Sequence, residues 1–268
     1  MLNRAIRSRF WTGFLSWILP ETGLEKVLAG LSAEEFKARV SKNPDSSGSG
    51  LDEPWLNELD LSGSSISGVR AILVFGIPVF SVFSYKNELV RQAIWLLKYR
   101  GSHQAARIFG ECLANEIARI LSKRNLFSIP SRSGSRDLPL IGPTLSPILV
   151  PLPMSPTRRK ERGWNQTEMI AAEIMKNNRK EKPAGNLDMI APEIFIKFRH
   201  TKPQTQLSRA ERLKNLEGSF AVTNPAAIKN RNIILIDDVM TTGASIREAA
   251  ETLRRAGALK IIAFTVAG

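Results

Sequence analysis

The pattern of apolar and polar positions divides most of the chain into alternating strands and helices. Apolar runs typical of buried strands occur at 69–83, 148–150, 194–200 and 233–236, and a last strand ends at Val266. Helical spacing of apolar residues predicts helices over 88–99, 105–121 and 165–175, and another from Ile246 to Leu253 with Gly257 as its C-cap. This repeated strand-then-helix order predicts an α/β fold with a mostly parallel, doubly wound sheet.

The alternation is absent from the first quarter of the chain, which therefore forms a separate leader. In this leader, 1–66, Ser32 and Glu35 make a capping box that predicts a helix through Val40, and 43–50 is typical of a linker. The main domain is predicted over 67–268. Within it we expect loops or turns at 152–163, 177–185 and 201–218, and a mobile insertion rich in Ser, Pro and Gly at 128–143.

The most informative chemistry lies at 233–245, where an all-apolar strand ends in two adjacent carboxylates, Asp237 and Asp238. The loop that follows contains Thr241, Thr242, Gly243, Ala244 and Ser245. Free backbone N–H groups and the positive end of the next helix favour an anion such as a phosphate at this loop. The carboxylates instead suit a ribose diol, directly or through Mg²⁺. A ligand with a 5-phosphate and two ribose hydroxyls therefore satisfies every group.

This segment resembles the phosphoribosyl pyrophosphate (PRPP) motif of type I phosphoribosyltransferases. The resemblance implies that Asp237 and Asp238 act as catalytic residues that hold the ribose hydroxyls, while the following loop holds the 5-phosphate. Mg²⁺ is the implied cofactor, and it arrives with PRPP. Since neither His103 nor His200 has a metal-ligand partner at useful spacing, we expect no separate metal site.

A strongly basic segment follows the strand at 148–150. Its cations are Arg158, Arg159, Lys160 and Arg162. They either form a solvated face or neutralise a pyrophosphate leaving group, and their place after a strand of the same sheet favours the second interpretation. The corresponding loop of type I enzymes binds pyrophosphate, so the resemblance predicts cofactor binding by Arg158, Arg159 and Arg162.

Two further segments narrow the resemblance to one family. Residues 162–166 read Arg-Gly-Trp-Asn-Gln, and 204–212 read Gln-Thr-Gln-Leu-Ser-Arg-Ala-Glu-Arg. With Tyr85, Lys98 and Tyr99 they resemble the ComF (ComFC-type) family of phosphoribosyltransferase-like proteins, from about residue 80 onward. The resemblance implies a hood made of the leader or of 85–99, a loop at 201–220 that closes over the site, and a role in natural competence with single-stranded DNA and competence proteins as partners. The family's usual zinc ribbon is not expected, because no cysteine precedes Cys112.

The net charge of +13 favours polyanionic partners, although it also serves solubility. With a single cysteine, expected in the core, a cytoplasmic location fits. Residues 1–20 combine arginines with aromatic residues, a pattern typical of an amphipathic helix that contacts a membrane peripherally.

Two classes of function remain open at this point. The first is an active phosphoribosyltransferase, a glycosyltransferase that uses PRPP, for which the intact acid pair is the motivation. The second is a non-catalytic PRPP- or nucleotide-sensing protein with a retired transferase fold, which binds single-stranded DNA through the basic–aromatic pieces 95–100 and 158–164.

Overall fold

The computed structural model describes residues 23–42, 69–123, 146–181, 186–198 and 218–268. Its helices are α1 (Gly23–Ala29), α2 (Ala33–Ser41), α3 (Glu88–Arg100), α4 (His103–Lys123), α5 (Pro156–Arg162), α6 (Gln166–Glu181) and α7 (Ala244–Arg255). Its strands are β1 (Arg70–Val74), β2 (Ile77–Phe83), β3 (Ile148–Pro151), β4 (Asp188–Met189), β5 (Phe195–Lys197), β6 (Phe220–Val222), β7 (Ile233–Val239) and β8 (Ile261–Ala267).

A six-stranded sheet in the order β1-β2-β8-β7-β3-β4 organises the domain. Strands β2, β8, β7, β3 and β4 are mutually parallel, and β1 adds to one edge as the antiparallel arm of a hairpin. The strands β7 and β8 are joined through α7, which is the crossover that parallel neighbours require. The prediction of a mostly parallel α/β sheet is confirmed.

Helices cover both faces of this sheet, so its central strands are buried on two sides. One face packs against α2, α3, α4 and α6, where the rings of Phe80 and Phe264 stack at 5.1 Å. The other face packs against α7 through Ile246, Ala249 and Leu253. This double cover explains the continuous apolar runs of β7 and β8, because alternation is expected only when one face meets water.

The described part of the leader packs into the first of these cores. Phe36 on α2 makes edge-to-face contacts with Phe83 and Phe109, at centroid distances of 5.5 and 5.8 Å. The predicted capping box is present: the Ser32 hydroxyl oxygen accepts from the Glu35 N–H, and the Glu35 carboxylate accepts from the Ser32 N–H. The boundary between leader and main domain near residue 66 lies outside the described residues and stays a prediction.

The structure differs from the predicted elements at three places. The predicted loop at 152–163 contains α5, because Ser155 caps it and Pro156 occupies its first position. The helix predicted to end at 175 continues to Glu181, so 177–181 is not a turn. The strand predicted at 194–200 is described only over Phe195–Lys197, and it pairs with β6 in a separate hairpin rather than in the main sheet.

Several predicted segments lie outside the described residues. They are the N-terminal amphipathic helix, the linker at 43–50, the insertion at 128–143 and most of the loop at 201–218. Among the helices that the structure does describe, none has the length and apolar character needed to cross a bilayer.

Candidate functional site

The acid pair and the loop after it lie at the carboxyl edge of the parallel sheet. Asp237 and Asp238 lie close to the carboxyl end of β7, and β7 is flanked by β3 and β8. Asp238 is buried, with 5% of its surface exposed, whereas Asp237 is only partly buried. The carboxyl edge of an open α/β sheet is the usual ligand position in such folds. The geometry therefore places Asp237 where a ligand can reach it, whereas Asp238 is covered by its neighbours.

The predicted phosphate loop leads directly into α7. Its N-cap is Gly243, whose φ of 72° is left-handed and which offers no capping side chain. An L-residue is strained there, and an added Cβ would also collide with the side chain of Val74. A long hydrogen bond of 3.4 Å runs from the Ala244 N–H to Thr242 Oγ1. The positive helix end therefore meets the site without a competing acid side chain from the loop.

The remaining loop residues surround this helix end. Thr241 is exposed, Thr242 and Ser245 are partly buried, and Ala244 is buried. Thr241, Thr242 and Gly243 thus link the acids to α7, and Ala244 and Ser245 are the first two residues of that helix. Their proposed contact with a phosphate stays a prediction.

The two carboxylates have opposite electrostatic environments. Burial opposes ionisation of Asp238, but attraction to and a hydrogen bond from Lys98 outweigh it, so the pKa of Asp238 is lowered. The Lys98 Nζ lies 2.9 Å from Asp238 Oδ2. For Asp237, burial and then the charge of Asp238 raise its pKa well above the ordinary carboxyl value. Such divided behaviour of adjacent acids is typical of functional sites.

The basic segment after β3 is partly brought into this site. Burial and then the charge of Arg158 lower the pKa of Lys197 to about 8, while Asp237 raises it. Arg158, Lys197 and Asp237 therefore share one electrostatic environment, although they come from α5, β5 and β7. Lys197 also lies over the ring of Phe220, 5.1 Å from its centroid.

The other two predicted arginines have protein partners. Arg159 forms an ion pair with Glu168 at 2.5 Å, and Arg162 lies over the ring of Tyr99 with its Cζ 4.9 Å from the centroid. Among the described residues neither contacts Asp237 or Asp238. Arg158 is therefore linked to the acids only indirectly, through Lys197, whose pKa is lowered by the charge of Arg158 and raised by that of Asp237.

Sequence analysis did not assign Lys98, Gln166 or Lys197 to the site. Lys98 lies in the last turn of α3, and Gln166 begins α6, where its Nε2 donates to Asp238 Oδ2 at 3.2 Å. Both lie in segments that carry the family resemblance, and this resemblance was the one signal in the sequence that pointed to them. The contacts of Lys98 and Gln166 with Asp238 depend on tertiary structure, because the three residues are far apart in the chain.

The segment 162–166 also packs against the end of α3. The Trp164 indole N–H donates to the Leu97 carbonyl oxygen at 3.0 Å, and the ring packs against Gly101. Asn165 Oδ1 accepts from the N–H and hydroxyl of Thr167, and its amide donates to the Leu152 carbonyl oxygen. The loop after β3 is thereby fixed to the end of α3, which carries Lys98.

Cys112 is buried in the core, and burial raises the pKa of its thiol to about 12, as expected of an unreactive cysteine. In the described ranges there is no group of three or more His, Cys, Asp or Glu residues suited to a metal ion.

Comparison with known proteins agrees with the geometry of the site. The model of the phosphoribosyl transferase domain matches residues 159–268. Competence protein ComFC of Bacillus subtilis is 27% identical over 187 residues, which cover 69% of this chain and 62% of that protein. Competence protein F of Haemophilus influenzae is 29% identical over 121 residues, covering 44% of this chain and 48% of its own.

A third relative and one solved structure are also similar to parts of the chain. The DNA utilization protein YhgH of Escherichia coli is 26% identical over 147 residues, covering 55% of this chain and 58% of its own. The chain therefore spans between 48% and 62% of the length of these curated relatives. A solved structure of the allosteric regulatory enzyme of purine biosynthesis matches 59% of this chain and 26% of its own, with 13% identity and a TM-score of 0.29, too low to inform function.

Proposed function

We propose that this chain, a ComF-family protein with a phosphoribosyltransferase-like domain, binds PRPP with Mg²⁺ and transfers its phosphoribosyl group to an acceptor. One observation carries the proposal: the partly exposed carboxyl group of Asp237 and a helix N-terminus without a side-chain cap follow each other at the carboxyl end of β7. The spacing suits a ligand that carries a ribose diol and a 5-phosphate. Arg158 and Lys197 supply positive charge that would neutralise the pyrophosphate, and Lys197 is within electrostatic range of both Arg158 and Asp237.

The donor set fits this ligand. Backbone N–H groups at the start of α7 attract a phosphate, and Asp237 offers a carboxylate oxygen to a ribose hydroxyl or to the ion. When bound, Mg²⁺ supplies neutralisation of pyrophosphate charge, and Asp237 is the residue that would hold it. Asp238 is held by Lys98 and Gln166 instead.

Transfer breaks the bond from ribose C1 to the pyrophosphate oxygen, and the electron pair leaves with pyrophosphate. A nucleophilic atom of the acceptor forms the new bond to C1. Positive charge grows on the ribose in the transition state, so nearby carboxylates stabilise it, while Arg158 and Lys197 stabilise the departing anion. This chemistry depends on fixed groups and orientation more than on a strong base.

The names of the relatives suggest the biological setting. Two of them are competence proteins and one is a DNA utilization protein, so we assign this chain to competence and the use of incoming DNA. A second candidate function is direct binding of single-stranded DNA without catalysis. It is favoured by the net charge of +13 and by a row of aromatic and cationic side chains in which Tyr99 is exposed and Trp95 and Arg162 are partly buried.

Calorimetric titration of PRPP with Mg²⁺ tests the proposal. The wild type is expected to bind, and the variant that combines Asp237→Asn with Asp238→Asn is expected to lose about 10-fold or more in affinity. Asp188→Asn is the control, since Asp188 is an exposed acid at the amino end of the parallel strands, where it forms an ion pair with Arg231 away from the acid pair. Equal affinity in all three proteins, or none in the wild type, would contradict PRPP binding at this site.

If PRPP binds, pyrophosphate release measured across nucleobase and amine acceptors tests transfer. Release that depends on an acceptor and is lost in the double acid variant is expected. Binding without release for any acceptor would support the non-catalytic alternative.

A further inference from the structure

The β5–β6 hairpin carries a cation to the site although it lies outside the main sheet. Lys197 ends β5 and pairs with Phe220 at the start of β6, and its Nζ lies 5.1 Å from the centroid of the Phe220 ring. Its charged neighbours, Arg158 and Asp237, come from α5 and β7. Because a two-stranded hairpin is only marginally stable by itself, the position of Lys197 depends on what holds the hairpin.

An apolar contact supplies part of this support. Phe195 and Phe220 stack with their ring centroids 5.4 Å apart, and both are buried in the core that contains Ile246 and Leu253 of α7. Apolar burial is non-directional, so it keeps the hairpin near α7 without fixing its orientation. A directed contact is needed to orient Lys197.

Glu248 in the second turn of α7 makes such a directed contact. Its Oε1 accepts a hydrogen bond of 2.8 Å from the Gly218 N–H, close to the point where the chain enters β6. Glu248 is 6% exposed, and Arg255 of the same helix approaches the same oxygen at 3.7 Å. A buried carboxylate needs donors of this kind, and a hydrogen bond to a charged acceptor is stronger than one between neutral groups. Glu248 therefore ties the hairpin to α7 in one orientation.

We propose that Glu248 is a positioning residue, which holds the β5–β6 hairpin on α7 and thereby keeps Lys197 beside Arg158 and Asp237, where its charge acts on the pyrophosphate of the ligand. The inference rests on the proposed function and deepens it. Glu248 touches no ligand itself, but it belongs to the helix whose N-terminus is proposed to bind the 5-phosphate. The same helix thus sets the place of both anionic groups of PRPP.

Two probe ligands separate this role from general damage to the site. Calorimetry at about pH 7 would compare pyrophosphate with Mg²⁺ and ribose 5-phosphate, of which only the first needs Lys197. Glu248→Ala should weaken pyrophosphate by about 10-fold, the usual effect of a hydrogen bond to a charged group, and ribose 5-phosphate by less than about 2-fold. Glu248→Gln retains an oxygen that accepts from the Gly218 N–H, so it should keep most of the pyrophosphate affinity.

The titration of Lys197 reports its position without any ligand. Burial and then the charge of Arg158 lower the pKa of Lys197 to about 8, against an attraction to Asp237. A hairpin released from α7 loses both causes of the lowering, so the pKa of Lys197 in Glu248→Ala should rise toward the ordinary lysine value of 10.5. Removal of a negative charge alone would not raise it, because anions favour the protonated amine. Competitive acetylation with acetic anhydride across pH, with mass spectrometry of each lysine peptide, measures this midpoint.

Matched variants control for folding and for local disturbance. Ser219 is fully buried, and its hydroxyl has no hydrogen-bond partner among the described residues, so Ser219→Ala should leave the Lys197 midpoint and both affinities unchanged. Glu248→Asp retains the charge but is one methylene too short for Gly218, and it replaces Glu248→Ala should circular dichroism show that the alanine variant is unfolded. The exposed Lys180 is the internal reference for acetylation.

A Lys197 midpoint that stays near pH 8 in Glu248→Ala, or that rises equally in Glu248→Gln, would overturn the positioning role. Equal weakening of both ligands in Glu248→Ala would overturn it as well. The two readouts also keep this inference apart from the proposed function. If neither ligand bound the wild type while the Lys197 midpoint rose as expected, the proposed function would fail and the placement of Lys197 by Glu248 would stand.

Discussion

At the scale of single residues, function and stability oppose each other at Asp237. Its raised pKa means that the folded state holds a proton more tightly than the unfolded chain does, so ionisation costs stability as pH rises from the ordinary carboxyl range through the raised pKa. Asp238 behaves in the opposite way. Its lowered pKa contributes stability that is present above the unfolded value and is lost as pH falls.

Asp237→Asn should therefore stabilise the protein without ligand while weakening its binding of the ligand. We expect a gain on the order of 1 kcal/mol at about pH 8 and a smaller one at about pH 5, because the native carboxylate is then less ionised. Urea unfolding at both pH values measures this. Asp238→Asn is the control with the opposite sign, since it leaves Lys98 without its partner. A destabilised Asp237→Asn protein at the higher pH would contradict the account.

Gly243 is the second residue whose identity the structure explains. Gly243→Ala should cost about 1–2 kcal/mol for the left-handed backbone, and more because of the contact with Val74. Gly76→Ala is a closely matched control. Gly76 has a φ of 74° against 72° at Gly243, but a Cβ added at Gly76 would meet no atom within 4 Å. Denaturant unfolding should show the larger loss for Gly243→Ala, and Val74→Ala should restore part of it. Equal losses would exclude the steric contribution.

At the scale of elements, the end of α3 and the loop after β3 act as one structural unit. Trp164 joins them through its hydrogen bond to Leu97 and its packing against Gly101, while Arg162 covers Tyr99. Lys98 lies within this unit and Gln166 directly follows it. The position of Asp238 is therefore coupled to contacts that do not touch the ligand.

Trp164→Ala should destabilise the domain by about 2–4 kcal/mol and weaken the binding of PRPP, because both the ring packing and the hydrogen bond are lost. Trp164→Phe retains a ring and should cost about 1 kcal/mol, which reflects the unpaired Leu97 carbonyl. Urea unfolding and calorimetry measure both effects. Wild-type stability in Trp164→Ala would show that the two segments are not interdependent.

The sequence predicted most elements of the sheet because long apolar runs and helical spacing are local signals. Helix α5 was missed because its seven residues bury no side chain, although Ser155 and Pro156 were a usable start signal. The two-residue strand β4 is exposed and too short for any period to appear. The acids and the phosphate loop followed from a contiguous motif, whereas the contact of Lys98 and Gln166 with Asp238 depends on long-range packing.

At the scale of the whole molecule, charge and surface chemistry determine the class of partner. The chain carries a net charge of +13, and one surface combines stacked aromatic and cationic groups: Arg100 over Trp95 at 6.0 Å, Trp95 against Tyr99 at 5.5 Å, and Arg162 over Tyr99. Tyr99 remains 43% exposed, so its ring is accessible to a base. This surface adjoins Lys98, so a bound strand would approach the acid pair and the proposed PRPP site.

Binding of oligothymidylate should therefore be salt-dependent and should involve stacking. Fluorescence anisotropy should show affinity falling by about 10-fold or more between about 50 and 200 mM salt. Tyr99→Ala should weaken binding by about 1–3 kcal/mol, the usual contribution of one stacked base. Tyr99 is a cleaner test than Trp164, whose indole has a structural role. A response that is flat with salt would remove DNA binding from the account.

The central claim is that one sugar phosphate lies across the acid pair and the start of α7. A crystal structure of the protein with PRPP and Mg²⁺ tests it most directly. The account predicts the 5-phosphate against the backbone N–H groups that follow Thr241 and a ribose hydroxyl on Asp237, with Asp238 still bound to Lys98 and Gln166. PRPP bound elsewhere, or a site that stays empty at saturating concentration, would contradict it.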